Sequence, residues 1–346
     1  MARSQKHKID FAFLVHPRDI RDVRNRYPIT RFIPEAIVKI LLPFVGPLNV
    51  GSIKGPISLK TGMVVYGAVI SVPLFAEQML CDRERASSVV KRAIRFAEGC
   101  GARYVGLGSL TSPIVNGGTL VAGGAGTYIT NGNALTTAIT IMGIRNAAAV
   151  RSIKLHNAVI AIVGATGSIG SAVAQILSVE DHPQQLILVG RTESNLVALL
   201  EKMGNQPTVQ MATDLSLLIE ADIVVVATSA SSAIISSEML KRNAIVYDIT
   251  QPQNVSPDVQ EKRPDVLIVD GGIVKLPDDV SVRVQMGLPQ GTTFACLAET
   301  MLIAAEDHGN DFSIGNVQLD QVAYVSNLAE KYKFESAPLY SWGELV

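Results

Sequence analysis

Residues 158–177 read AVIAIVGATGSIGSAVAQIL. A short apolar, β-branched run ends at Gly164. Gly167 and Gly170 follow at G-x-x-G-x-x-G spacing, and an Ala/Ile/Leu-rich segment then has the pattern of a buried helix. Strand, glycine turn and helix in that order are the setting that gives a glycine triplet meaning as a dinucleotide cradle; alone, it is only a tight turn. Gly164 permits the turn, Gly167 lets backbone approach a pyrophosphate, and Gly170 lets helix and strand pack closely. Thr166, Ser168 and Ile169 complete the turn and the helix start, whose free N–H groups suit phosphate.

Downstream, four further apolar runs continue the pattern: QLILVGR, ADIVVVATS, AIVYDIT and VLIVDGG. Uninterrupted apolar runs imply strands covered on both faces, hence a parallel sheet, and their alternation with polar or helical segments implies a doubly wound Rossmann arrangement. Upstream the pattern is an irregular α/β one. FAFLV (11–15), MVVYGAVISV (63–72) and RYVGLGSL (103–110) read as strands. A helix is expected over 74–99. Another is expected over 130–150, with Thr130, Asn131 and Asn133 as capping oxygens. A chain of 346 residues exceeds one ordinary core. The expected organisation is therefore α/β: an N-terminal α/β substrate domain over 1–150, a nucleotide-binding Rossmann domain over 151–300, and a C-terminal helical segment over 301–346 packing back on the first.

The second run ends in LILVGRTESN. A carboxylate here would hold a ribose 2′-hydroxyl and repel a 2′-phosphate, whereas Arg191 beside Thr192 can pair with that phosphate. NADPH is the expected cofactor, with Glu193 turned to solvent. Thr228–Ser229 and Gly271–Gly272 close later strands where the adenosine and nicotinamide should lie, and Asp248 closes another; each also reads as an ordinary turn.

Net charge is −1 and no Lys/Arg block occurs, which argues against a nucleic-acid partner. Cys81, Cys100 and Cys296 form no disulfide framework, and the five scattered histidines form no metal-ligand spacing. With neither a secretory leader pattern nor a run long enough for a membrane helix, a cytoplasmic location is expected. The apolar stretch 33–51, interrupted by Glu35, Lys39, Pro43 and Pro47, reads as a buried helix followed by a loop. The alternative is an interfacial patch giving weak membrane-surface contact, or a lid. The glycine-dense segment 113–127 is either a surface connection or a lid.

GTTFACLAETMLIAAE places Cys296 near the start of a helix, where the dipole favours thiolate. On composition alone, a cysteine among Phe294, Ala295, Leu297 and Ala298 is packing. GATGSIGSAV, LVGR, DGGIV, GLGSLTS, TNGNALTTA, VPLFAEQML and above all FACLAETML together resemble the cyanobacterial long-chain acyl-ACP reductase family, over nearly the whole chain. The stretches 29–50 and 113–126 depart from that family's pattern. The resemblance implies that Cys296 accepts the acyl group of an acyl carrier protein or acyl-CoA, and that NADPH reduces it to an aldehyde. Glu299, three residues on, is a candidate for positioning a proton or a water, or else a cap partner. Ser109, with Thr111 and Ser112, is a candidate donor to the acyl carbonyl, and His16 a candidate proton donor. Two other functions fit the same fold: a shikimate-type dehydrogenase without covalent catalysis, and a non-catalytic NADP(H)-binding sensor.

Overall fold

In the computed structural model, which describes residues 9–17, 19–124, 126–230 and 232–346, FAFLV becomes strand β1 (Phe11–Val15) in the middle of a first sheet. Helices α1 (Ile20–Arg26) and α2 (Glu35–Val45) follow, then the antiparallel pair β2 (Leu48–Ile57) and β3 (Val64–Ser71). The helix expected over 74–99 is two, α3 (Ala76–Cys81) and α4 (Arg83–Gly99). Asp82 leaves helical geometry between them, and its carboxylate caps α4 by accepting the Arg85 N–H at 3.0 Å. β4 (Tyr104–Leu107), the short α5 (Thr111–Ile114) and β5 (Tyr128–Thr130) complete a sheet ordered β2-β3-β1-β4-β5, parallel from β3 onward.

The stretch 33–51 is not a buried helix with a trailing loop. α2 buries only Val38, Leu42 and Pro43, the first two in a small cluster with Val23 and Phe75. Its opposite face is apolar and open, with Ile40 65% and Phe44 79% exposed, and residues 48–50 already belong to β2.

Helix α6 (Asn133–Val150) leads to the second sheet. This is built from β6 (Val159–Val163), α7 (Ser168–Ile176), β7 (Gln185–Val189), α8 (Glu193–Lys202), β8 (Val209–Ala212), β9 (Ile223–Val226), β10 (Ile245–Asp248), α9 (Asp258–Lys262) and β11 (Leu267–Asp270). All six strands are parallel, in the order β11-β10-β9-β6-β7-β8, the doubly wound order with its switch point between β6 and β9. The fold class is therefore α/β with a Rossmann sheet, as the apolar runs implied.

The chain then returns to the first sheet. After β12 (Ile273–Lys275), β13 (Ser281–Arg283) adds antiparallel to the outer side of β2. β14 (Thr292–Phe294) runs into α10 (Ala295–Ala305), which packs on β1 to β4 and on α6. α11 (Leu319–Lys331) covers α6, and β15 (Glu335–Ser336) joins β12 and β14 in a three-stranded sheet.

One buried side chain ties these pieces together. Glu299 of α10 is fully buried. It accepts from the Thr130 hydroxyl, from the Gly132 N–H at 3.1 Å and from the Leu135 N–H at 2.8 Å. Asn131 Oδ1 accepts the Asn133 N–H at 3.0 Å, and Ser313 Oγ the Ala134 N–H at 3.2 Å. Every N–H from Gly132 to Leu135 thus ends on a side chain. The position before the helix is Gly132 itself, at φ +76°; of the three expected capping residues, Asn131 is the one that accepts from the first turn.

Burial pushes the Glu299 carboxyl up to about 7, against the pull of its donors. The folded state therefore retains a proton that the unfolded chain releases near its ordinary 4.5, so this group's contribution to stability falls as pH rises from about 4.5 to about 7. In Glu299→Gln an amide NH2 faces backbone donors and at least one N–H loses its acceptor. The expected loss is about 1–3 kcal/mol, together with that part of the pH dependence. Thermal melts at half-unit steps between pH 5 and 8 check both; a variant that melts with the wild type at every pH would show that the contact carries no stability.

Candidate active site

The glycine turn lies at the switch point of the second sheet. The Gly164 and Ala165 N–H groups both reach the Val189 carbonyl, at 2.9 and 3.0 Å, and the Gly167 N–H closes the turn on Gly164 O at 2.9 Å. Gly164 sits at φ +85°, and a Cβ there would press to 2.8 Å from the Ala227 carbonyl carbon; a Cβ on Gly170 would collide with Gly164 O. Gly167 is exposed at the opening. Among the described residues, the N–H groups of Ser168, Ile169 and Gly170 meet no protein acceptor, and no side chain caps α7. Free donors at a helix start, over a turn with no Cβ in the way, fit a pyrophosphate.

The other expected cofactor residues divide by role. The Thr166 methyl packs towards Gly190. The Ser168 side chain is committed elsewhere: its hydroxyl donates to Gly315 O at 3.1 Å and accepts from the Val317 N–H at 3.0 Å and from Asn133 Nδ2 at 3.2 Å. Its backbone alone faces the cradle. The Thr228 hydroxyl donates to Asn254 Oδ1 and accepts the Ala230 N–H at 3.1 Å, so it shapes its loop while Ser229 lines the cavity beside it. Asp248 is buried beneath the DITQPQN turn and accepts the N–H groups of Thr250, Asn254 and Val255 at 2.9, 2.8 and 3.2 Å. Gly271 and Gly272 line the cavity, and a Cβ on Gly271 would come 2.6 Å from both Ile249 and Tyr247 side chains. Arg191 and Thr192 are exposed beyond the end of β7, outside the lining.

The cavity, about 830 Å³, runs from this cradle to the ends of β1 and β4. Cys296, second residue of α10, lines it, and the Cys296 and Leu297 N–H groups are directed at its sulfur. It backs onto Gly132, where any Cβ would collide with the Cys296 Cα and Cβ. The helix start does not make the sulfur a thiolate. Burial, and then the Glu299 charge, push the thiol up to about 12 and outweigh the two N–H donors, so the expectation of an ionised sulfur is corrected. Glu299 does not enter the cavity lining; of its two expected roles, the cap partner is the one the geometry supports.

His16 and Ser109 do meet. His16 Nδ1 lies 2.9 Å from Pro17 O, which can only accept, so Nδ1 carries the proton and Nε2 presents a lone pair to Ser109 Oγ at 3.1 Å. Burial holds the imidazole below its ordinary pKa, so His16 is neutral and acts as an acceptor rather than the proton donor expected from sequence. Ser109, at φ +49°, has a second acceptor in Gln251 O at 3.1 Å. Asn254, which bridges Ala230 O, Ser232 O and Pro252 O, escaped sequence reading. So did Asp311, which pins the glycine-dense segment by accepting the Gly123 and Ile129 N–H groups, both at 2.7 Å. Among the described residues there is no His/Cys/Asp/Glu group able to hold a metal, and no helix long and apolar enough to cross a membrane.

A family model described as shikimate/quinate 5-dehydrogenase matches residues 146–270. The chain is 29% identical over 296 residues to an aminotransferase named PigE from Serratia sp. (strain ATCC 39006), covering 84% of this chain and 34% of that protein, so it spans about a third of that relative's length. It is 29% identical over 276 residues to a long-chain acyl-[acyl-carrier-protein] reductase from Synechococcus elongatus, covering 76% of this chain and 80% of that one. Among solved structures, L-tryptophan dehydrogenase from Nostoc punctiforme aligns over 94% of this chain and 80% of its own, at 13% identity and a TM-score of 0.39. With the glycine cradle, the family model and the Synechococcus relative support an NAD(P)-dependent oxidoreductase.

Proposed function

We propose that the chain reduces a fatty acyl thioester to the aldehyde with NADPH, through an acyl group carried on Cys296. The observation that supports this reading is the placement of one sulfur, at the start of a helix, in the same cavity as the open cradle of α7. The resemblance of FACLAE to the acyl-ACP reductases and the name of the Synechococcus relative agree with it. The family-model match covers the nucleotide-binding half, so it bears on the cofactor and not on the substrate.

The α7 N–H groups would hold the pyrophosphate, Gly271–Gly272 would flank the nicotinamide, and Arg191 with Thr192 would meet the 2′-phosphate. Bound NADPH supplies the hydride that reduces the acyl carbon. The chain's own residues do the rest. The Cys296 sulfur attacks the thioester carbon; one carbon–sulfur bond forms, another breaks, and the cysteine proton leaves with the carrier thiol. The neutral His16 imidazole is available to relay it. The start of α6 is fully capped, so the donors for the developing oxyanion would be the N–H groups at the start of α10, joined by the Ser109 hydroxyl when it turns away from His16 Nε2 and Gln251 O. After reduction the carbon–sulfur bond to Cys296 breaks, the aldehyde leaves, and the sulfur takes back a proton. One thioester, one hydride and one proton become one aldehyde and one thiol. An acyl carrier protein and coenzyme A are both chemically competent donors.

Incubating the protein with an acyl thioester and no NADPH should add one acyl mass, and Cys296→Ala should lose both the adduct and about a thousandfold or more in turnover. Full turnover by that variant would leave a non-covalent dehydrogenase of the shikimate type as the better reading. Bound NADPH that no thioester oxidises would favour a sensor.

Because the thiol is held up near 12, single-turnover acylation should accelerate as pH rises from 6.5 to 9, each step exposing more thiolate. Reversing charge in Arg191→Glu should raise the KM for NADPH roughly ten- to a hundredfold and leave that for NADH little changed. Equal effects on both cofactors would remove Arg191 from the 2′-phosphate site.

A further inference from the structure

A second hollow, about 440 Å³, opens beside the main cavity and shares Arg83, Pro113 and Asn116 with it. One wall is a single face of α4. Arg83, Ser87 and Lys91 stand four residues apart, with Glu84 and Ser88 beside them. Arg95 extends the row by one more turn. The opposite wall is apolar, formed by Pro113, Ile114 and the half-exposed Leu120.

The charge on this helix is lopsided. Within 83–99 there are five cations, Arg83, Arg85, Lys91, Arg92 and Arg95, against two carboxylates, Glu84 and Glu98, in a chain whose net charge is −1. All five cations are exposed, and among the described residues none of them forms an ion pair. Arg83 and Arg92 are steadied by backbone carbonyls instead, donating to Pro113 O at 2.9 Å and Pro43 O at 3.3 Å. From Arg83 to Arg95 the row extends about 18 Å along the helix axis. That length is poorly matched to one compact phosphate cluster and well matched to the side of a negatively charged protein.

We propose that this face of α4 docks an acidic acyl carrier protein, whose thioester-bearing arm enters the main cavity past Arg83 and Pro113. The proposal rests on the thioester reading above, and it selects between the two donors that reading allows. Free acyl-CoA brings the same thioester but no protein surface to set against the row.

The test uses the double variant Lys91→Glu/Arg95→Glu in the 346-residue chain; neither residue lines the main cavity. Binding of a bacterial holo-acyl carrier protein, without acyl group or NADPH, should weaken at least about tenfold in the variant at low salt. Wild-type binding should itself weaken as salt shortens the screening length to about 10 Å near 0.1 M. In turnover, kcat/KM with acyl-carrier substrate should fall about tenfold, while acyl-CoA of the same chain changes less than about twofold and reports that the variant is folded. Lys91→Gln/Arg95→Gln should lie between the two. Unchanged carrier binding, or equal losses with both thioesters, overturns the proposal. So does loss of binding to anionic phospholipid vesicles with carrier binding intact, which would assign the face to a lipid surface. If the wild type turns over neither thioester, the functional reading fails, and holo-carrier binding still decides the docking face.

Discussion

Two helix starts meet back to back in this protein, and their contact sets the geometry of everything around them. α6 and α10 both begin at the cavity, and Gly132 before one touches Cys296 in the other so closely that no side chain fits between them. Two positive helix ends in close apposition repel. The fold offsets this by inserting the Glu299 carboxylate into the start of α6, where it takes two backbone N–H groups and a hydroxyl. That choice has a consequence for the sulfur three residues away. The carboxylate that steadies α6 also opposes ionisation of Cys296, so the site is organised around a thiol and not a standing thiolate.

The same contact joins the sheets. α10 lies on the first sheet, and α6 leads directly into the second; fixing one helix start against the other fixes the span between the ends of β1 and β4 and the glycine cradle. The loop at 313–317 reinforces it. Ser313 takes a further α6 N–H, Gly315 O receives both Asn131 and Ser168, and the Val317 N–H closes on Ser168. Ser168 and Asn131 therefore act as struts between the lobes, which leaves backbone, and not side chains, to contact whatever the cradle holds.

The Rossmann half was legible because its strands are covered on both faces and so read as unbroken apolar runs. β8 escaped for the converse reason: VQMA at the sheet edge is only partly buried on every residue, and carries no such run. β2 escaped because LNVGSIKGPI contains two glycines and a proline, which on sequence grounds argue against a strand. Gly51 and Gly55 are required there because Val284 and Val65 press against them. At the site, the glycine turn sits at the strand-to-helix junction its spacing indicated, whereas Cys296 reads as packing on composition and stands out only through the family resemblance, and the hydrogen bond between His16 and Ser109 is visible only in the fold. The protonation states were not legible. Local sequence indicates a helix start that favours thiolate, whereas the burial that reverses it comes from residues far along the chain. Asn254 and Asp311 are polar residues in polar segments, and only tertiary placement reveals what they hold together.

A half-buried thiol kept protonated is a sensible partner for a thioester under the function proposed. Acyl transfer from one sulfur to another exchanges like bonds, so it needs no strong driving force, and one proton travels from the attacking sulfur to the leaving one. A permanently ionised cysteine would remove that proton in advance, yet the leaving thiolate would then need it from elsewhere. What the cavity demands in exchange is a transient proton acceptor beside the sulfur's path. His16, neutral and with its Nε2 lone pair turned to Ser109, is the lining side chain to which the proposed function assigns that role, against a burial that opposes its ionisation.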